Sequence, residues 1–181
     1  MTIHIRPAEP ADLASVGDLH ARSRLRAYTG IVPAAALAAG GSAAMAEWWE
    51  QRWTYERTTH RLAVAADDAD AVLGFTYVGP SETPGATELY AIHVDPDRQG
   101  GGIGRALMAD VIAALPTLGR RRAVLWVLIE NAAARRFYER GGWVADGAER
   151  SAPLGPALTR QARYTRLVPA PDETNVAGGS R

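Results

Sequence analysis

Four of the ten residues from Asp95 to Gly104 are glycine, and they stand between two runs of opposite periodicity. The segment reads Val94-Asp95-Pro96-Asp97-Arg98-Gln99-Gly100-Gly101-Gly102-Ile103-Gly104. Thr87 to Val94 has the composition of a strand, which must end near Pro96. Ile103, Leu107, Val111 and Leu115 then recur at helical spacing. A strand therefore runs into a glycine turn, and a helix begins at once. Glycine has no Cβ, so such a backbone approaches a ligand closely. The first N–H groups of a helix lack internal partners, and with the helix dipole they form an anion site suited to a pyrophosphate. A purely structural turn is the other use of the same glycines.

Two familiar phosphate loops do not fit. A Walker loop needs Gly-Lys-Ser/Thr, and the 20 basic residues here are all Arg. The fingerprint G-x-G-x-x-G fails at its third position, which is Leu107 counted from Gly102 and Arg105 counted from Gly100. Basic and acidic residues balance at 20 each, so net charge gives no global attraction to nucleic acid or to an anionic membrane. The absence of Cys excludes disulfides, thiolate metal sites and a Cys acyl-enzyme. Neither H-E-x-x-H nor G-x-S-x-G occurs, which disfavours a hydrolase. No window reaches the roughly 18 to 20 apolar residues of a membrane span. Met1 to Pro10 carries Arg6 and Glu9 without an apolar core, unlike a secretory signal, and a cytoplasmic protein is expected.

A chain of 181 residues suits one domain with a substantial core. Ile3 and Ile5 mark a first strand ending at Pro7. A helix follows Pro10 and breaks at Gly30 and Pro33; Gly40-Gly41 breaks the next stretch. Ser42 is expected to cap a further helix with Met45, Trp49 and Trp53 on its apolar face and Trp48 off it. Leu62–Ala66 and Ala71–Val78 read as strands joined across Asp67–Asp70. Ala123–Ile129 is a central strand, Asn131 to about Arg140 a helix ending at Gly141-Gly142, and two last strands begin at Trp143 and Gln161. Residues 1–168 form the domain, a mixed α/β sandwich of helices on a largely antiparallel sheet; 169–181 read as a disordered tail.

The turn and the Asn131 helix together resemble the GNAT superfamily of acyl-CoA-dependent N-acyltransferases. The family signature of Gln or Arg, two residues, Gly, one residue, Gly or Ala is met by Gln99, Gly102 and Gly104, after Val94-x-Pro96. The run Asn131-Ala132-Ala133-Ala134-Arg135-Arg136-Phe137-Tyr138-Glu139-Arg140-Gly141-Gly142-Trp143 is similar to the family's Asn…Ala…Phe-Tyr-Glu…Gly-Phe element, with Trp143 for the usual aromatic. The resemblance is specific from Glu88 to Trp143. It implies a mixed, largely antiparallel sheet flanked by helices in a single domain. It also implies acetyl transfer from acetyl-CoA to a primary amine of a small molecule or peptide, within a ternary complex and without a metal. A non-catalytic acyl-CoA sensor of the same fold is the alternative; it could dispense with Tyr138.

By that resemblance Ile92, His93, Val94, Arg98, Gln99, Gly100, Gly101, Gly102, Ile103, Gly104, Asn131 and Phe137 contact the coenzyme. Asn131 can also cap its helix, and a main-chain N–H near Ile92 to Val94 is the expected oxyanion donor. Arg105 and Arg120 to Arg122 have weaker claims on phosphate than Arg98. Tyr138 lies seven residues after Asn131, and a phenol of pKa about 10 is protonated at neutral pH and able to donate to a departing thiolate. Glu88 is the leading general base and His93 the runner-up. Simple alternation places Glu88, Tyr90, Ile92 and Val94 on one face and Leu89, Ala91 and His93 on the other. Tyr28, Trp48 and Tyr90 are candidate acceptor contacts. A homodimer, the commonest assembly in general, is compatible with the sequence.

Overall fold

The computed structural model describes residues 2–118 and 120–167, so the tail expected from 169 lies outside the described residues. A short strand, β1 (His4–Pro7), leads through a 3-10 turn at Pro10–Asp12 into α1 (Leu13–Tyr28). Asp12 ties the two together, accepting the Glu9 N–H at 2.7 Å and both terminal nitrogens of Arg6 at 2.7 and 2.9 Å. Then come α2 (Ala34–Ala38), α3 (Ser42–Glu56), β2 (Arg61–Ala66), β3 (Val72–Pro80) and β4 (Ala86–Val94). The chain finishes with α4 (Ile103–Ala114), β5 (Arg122–Leu128), α5 (Ala132–Arg140), β6 (Val144–Leu154) and β7 (Ala157–Leu167). The hairpin between β2 and β3 is closed by the Asp67 carboxylate, which accepts the N–H groups of Ala69 and Ala71 at 3.0 Å each. Among the described residues no helix is long and apolar enough to cross a membrane.

Two local expectations are corrected. Gly41, not Ser42, is the N-cap of α3; the Ser42 hydroxyl donates instead to Asp18 of α1 at 2.7 Å, a charged acceptor that outcompetes the helix end. Trp143 precedes β6 rather than starting it. It is fully buried, with its indole N–H directed at the Met108 sulfur 3.3 Å away, so burial holds it in the core before the strand begins.

The sheet has seven strands in the order β1-β2-β3-β4-β5-β7-β6. Every neighbouring pair is antiparallel except β4 and β5, which α4 connects as a parallel crossover. One core lies under α1 and α3, where Leu13, Val16, Leu19 and Trp49 pack on Leu62, Val64, Phe75 and Tyr77. On the other face α4 packs Met108 and Val111, with Leu115 just after it, against Val78, Leu89, Leu125 and Val127. Ala134, Phe137 and Tyr138 of α5 join this second core. Trp49 is thus a core residue, whereas Trp48 is 38% exposed, as its place off the apolar face implies.

Helices α1 and α3 cross where Gly17 faces Ala46. A Cβ on Gly17 would lie 2.5 Å from the Ala46 Cα and closer still to its backbone nitrogen. Helix propensity alone favours Ala over Gly by about 1 kcal/mol. Steric overlap with backbone reverses the sign here, and Gly17→Ala is expected to destabilise the protein by about 1–3 kcal/mol in chemical denaturation.

Candidate active site

The site begins where β4 and β5 part. Their parallel pairing covers only Ala86↔Arg122, Thr87↔Ala123 and Glu88↔Val124. Beyond Glu88, β4 runs on to Val94 while β5 stays paired with β7 along its whole length. The cause lies in β4. Tyr77 pairs with Ala91 but Val78 with Leu89, so Tyr90 is an extra residue and the strand bends at a bulge. The Asp95 N–H donates to Leu73 O at 2.9 Å. Alternation along the antiparallel pair then points the main-chain groups of Ile92 and Val94 away from β3 and into the gap.

The bulge also corrects the expected alternation. Leu89 and Ile92 both pack toward α4, while Ala91 packs toward α1 and α3. Glu88 and His93 consequently share the α1/α3 face, and Glu88 is opposite Ile92 and Val94 rather than beside them. One inserted residue reverses the parity of everything before it.

At the outer end of the gap the chain makes its glycine turn. Asp95 holds the turn: its carboxylate accepts the Asp97 N–H at 3.0 Å and both terminal nitrogens of Arg22 at 3.0 and 3.1 Å. Its pKa is held below the usual carboxylate range, chiefly by the hydrogen-bonded Arg22. Gly100 and Gly102 have φ of +85° and +86°, so the backbone alternates in hand and curls into a concave nest. The first intrahelical bond of α4 is Ala106 N–H to Gly102 O at 3.0 Å. Gln99 and Gly100 form a hydrogen-bonded turn that engages Gly101, and among the described residues the N–H groups of Gly102 to Arg105 meet no protein acceptor. Gln99, Gly101 and Arg98 are exposed around this nest, whereas the Ile103 side chain is buried in the core and offers only its N–H.

The inner end is closed by two tyrosines from opposite faces. Tyr138 stands on α5, whose cap is formed by the Asn131 side chain accepting the Ala134 N–H at 3.1 Å. The same helix is clamped to β7: Arg135 donates to the Tyr164 hydroxyl at 3.0 Å, and that hydroxyl donates to Glu139 at 2.8 Å. Phe137 seats α5 against the first turn of α4, where a Cβ on Gly104 would lie 3.5 Å from its ring. Among the described residues the Tyr138 hydroxyl has no hydrogen-bond partner. Burial pushes its pKa well above the usual phenol value, and the neighbouring Tyr28 adds to the shift. Tyr28 comes from the end of α1, near enough to Tyr138 for the two phenols to influence one another electrostatically.

Glu88, the last paired residue of β4, sits at the apex of the gap and is buried. Burial raises its carboxyl pKa, offset in part by the Ser81 hydroxyl, which donates at 2.8 Å, and by Arg150 and Arg52. His93 faces α1, with its Nδ1 2.8 Å from the Ser23 hydroxyl and its ring 4.5 Å from that of His20. Burial pushes its pKa down to about 4, so it is a poorer base at neutral pH than an ordinary imidazole. Tyr90 and Trp48 lie on the same face, with the Arg52 guanidinium 5.6 and 4.8 Å from their ring centres. Burial pushes the Tyr90 phenol up to about 12. Among the described residues no group of His, Asp and Glu is placed to hold a metal ion.

The fold thus sets a glycine nest at a helix start, a strand pair that parts after Glu88 and a phenol without a protein partner on three consecutive elements. A family model described as acetyltransferase (GNAT) family matches residues 29–143, which carry all three. The chain belongs to the GNAT family.

Among relatives in the GNAT family, an uncharacterized N-acetyltransferase of Bacillus subtilis, YuaI, is 31% identical over 71% of this chain and 73% of its own. Mycothiol acetyltransferase of Kocuria rhizophila is 41% identical over 50% of this chain, which corresponds to only 32% of that longer protein. The chain therefore spans about a third of the mycothiol acetyltransferases it matches. In fold it is similar to the PaiA N-acetyltransferase of Thermoplasma acidophilum in complex with coenzyme A, with TM-score 0.70, 16% identity and coverage of 90% and 98% of the two chains.

The fold brings Phe137 and Val94 against Gly104 and Tyr138 near Tyr28, while Asn131 serves as the cap of α5. It separates the His93 and Ile92 side chains, which leave β4 on opposite faces. Sequence reading missed Arg22, which anchors the turn from 73 residues away in the chain. It also missed the bulge at Tyr90. No local signal marks either one, because both are settled by pairing at a distance.

Proposed function

We propose that the protein is an acetyl-CoA-dependent N-acetyltransferase acting on a primary amine by direct transfer in a ternary complex. The observation that carries this reading is the row of unpartnered N–H groups from Gly102 to Arg105 at the start of α4, beside the parted strands β4 and β5. A diphosphate fits the nest, and the helix dipole of α4 reinforces its hold on negative charge. The pantetheine arm carries amides that would satisfy the main-chain groups of Ile92 and Val94 facing the gap. A donor N–H there would also stabilise charge on the thioester oxygen. Tyr138, protonated and without a protein partner, is placed to donate to the leaving thiolate. Glu88, or groups bridging to it, takes the proton of the amine, which approaches from the α1/α3 face beside Tyr28, Trp48 and Tyr90. A sensor would have no use for a free phenol on α5, which favours the enzyme.

Gly101 is the test position for the nest, since it has no positive φ and a Cβ there would meet only Arg98 O at 3.6 Å. Gly101→Asp sets a carboxylate against the diphosphate and should weaken acetyl-CoA binding by about tenfold or more in calorimetry, with Gly101→Ala close to wild type. Equal affinity of the Asp variant would remove the nest from the coenzyme site. For Tyr138→Phe, kcat should fall by about 100-fold while coenzyme affinity holds, the usual scale for a lost general acid. Undiminished turnover would dismiss the phenol. The raised pKa of Glu88 means its basic form appears only above the ordinary carboxylate range, so kcat/KM should climb with pH across that raised value. In Glu88→Gln this limb should disappear from the pH–rate profile, leaving the limb of the acceptor amine itself; a persisting limb would assign the base elsewhere.

A further inference from the structure

Arg24 lies on α1 one turn before Tyr28, on the acceptor side of the gap. Other partly buried arginines have oxygen acceptors: Arg22 holds Asp18 and Asp95, Arg61 holds Asp110, and Arg163 holds Asp146. Arg24 does not. Among the described residues, the hydrogen-bond partner of its guanidinium is the Met45 sulfur, a weak acceptor, 3.4 Å from Nη1. A partly buried cation left without an anion is costly to a fold. Burial holds its pKa below the usual guanidinium range, offset in part by the Tyr28 phenol, and no carboxylate is among the groups that shift it.

Gly40 packs against one side of this cation. A Cβ on Gly40 would lie 2.9 Å from Arg24 Nη1, so the guanidinium rests against bare backbone. Four residues along α1 correspond to about 6 Å of rise, so Arg24 is within a small molecule's length of the Tyr28–Tyr138 pair.

We propose that the acceptor amine carries a carboxylate and that Arg24 binds it, which makes the substrate class amino acids or close analogues. This deepens the proposed function and rests on it. An Arg–carboxylate pair supplies two parallel charge-assisted hydrogen bonds, giving both affinity and orientation of the amine toward the gap. The cost of the lone cation in the free protein is recovered when substrate binds.

The test compares amino acids with their amides as acceptors, following thiol release from acetyl-CoA with wild type, Arg24→Gln and Arg24→Lys. Wild type should prefer the acids. Arg24→Gln should raise KM for the acids by about tenfold or more, leave the amides unaffected and keep kcat and acetyl-CoA affinity near wild type, with Arg24→Lys intermediate. The free Arg24→Gln protein should melt no lower than wild type, because it loses an unpaired cation. An N-acetyl amino acid should raise the melting temperature of wild type more than its amide does, a readout independent of turnover. Acetyl-CoA binding and transfer with amides preferred, or a variant that loses stability while keeping wild-type preference, overturns this inference alone. Failure to bind acetyl-CoA overturns the reading of the site as well.

Discussion

The parting of β4 from β5 after Glu88 is the constraint on which the site depends. A parallel pair in mid-sheet normally satisfies both edges of both strands. Here β4 keeps β3 on one side and β5 keeps β7 on the other, so each strand survives the separation with half its hydrogen bonds intact. The other halves face the gap unsatisfied, a cost that a native protein rarely tolerates in its interior. A ligand threaded between the strands with amides of its own would remove the cost, so under the proposed function the defect in the sheet and the binding of an extended coenzyme arm would be the same feature. The bulge at Tyr90 creates the opening by bending β4, and α4 keeps the two strands from drifting apart at their paired end.

Two clamps hold the ends of the site. Arg22 and Asp95 join α1 to the turn after β4, so the helix on the acceptor face and the nest on the coenzyme face are fixed to one another. At the inner end, the Arg135–Tyr164–Glu139 chain holds α5 against β7 and sets the position of Tyr138, whose own hydroxyl stays free. The first clamp is an ion pair with Asp95 only partly exposed, where such a pair retains more of its strength than on an open surface; the second runs through the buried Tyr164 hydroxyl.

What the sequence revealed was local chemistry. Glycines at Gly100 and Gly102 could be read as a turn because positive φ at both positions excludes most other residues. Asn131 could be read as a cap, and Trp49 as core, from spacing along one helix. The element order followed from the same signals and the seven-stranded sheet agrees with it. The misreadings share one physical origin, which is competition from a distant partner. Ser42 lost its capping role to Asp18, and Trp143 was drawn below the strand by Met108. The parity of β4 was overturned by its register with β3, and a one-residue slip is invisible to alternation within a single strand. The nearness of Tyr28 to Tyr138 belongs to the same class, since 110 residues of chain separate them and only the fold brings them together.

Burial of Glu88 has opposing consequences for the proposed chemistry. It raises the carboxyl pKa toward the range where a base is useful at neutral pH, which an exposed glutamate would not reach. The same burial, at 5% exposure, denies an incoming amine direct contact with the carboxylate. A proton can still reach it through a relay, and the Ser81 hydroxyl already donates to one of its oxygens at 2.8 Å. Arg150 and Arg52 limit how far the pKa climbs, and they come from β6 and α3, the two walls between which the acceptor would sit. The charge state of the base is therefore tied to the walls of the acceptor site. An acceptor that neutralised or displaced either arginine would make Glu88 more basic as it bound, and the amine would meet a stronger base than the free protein contains.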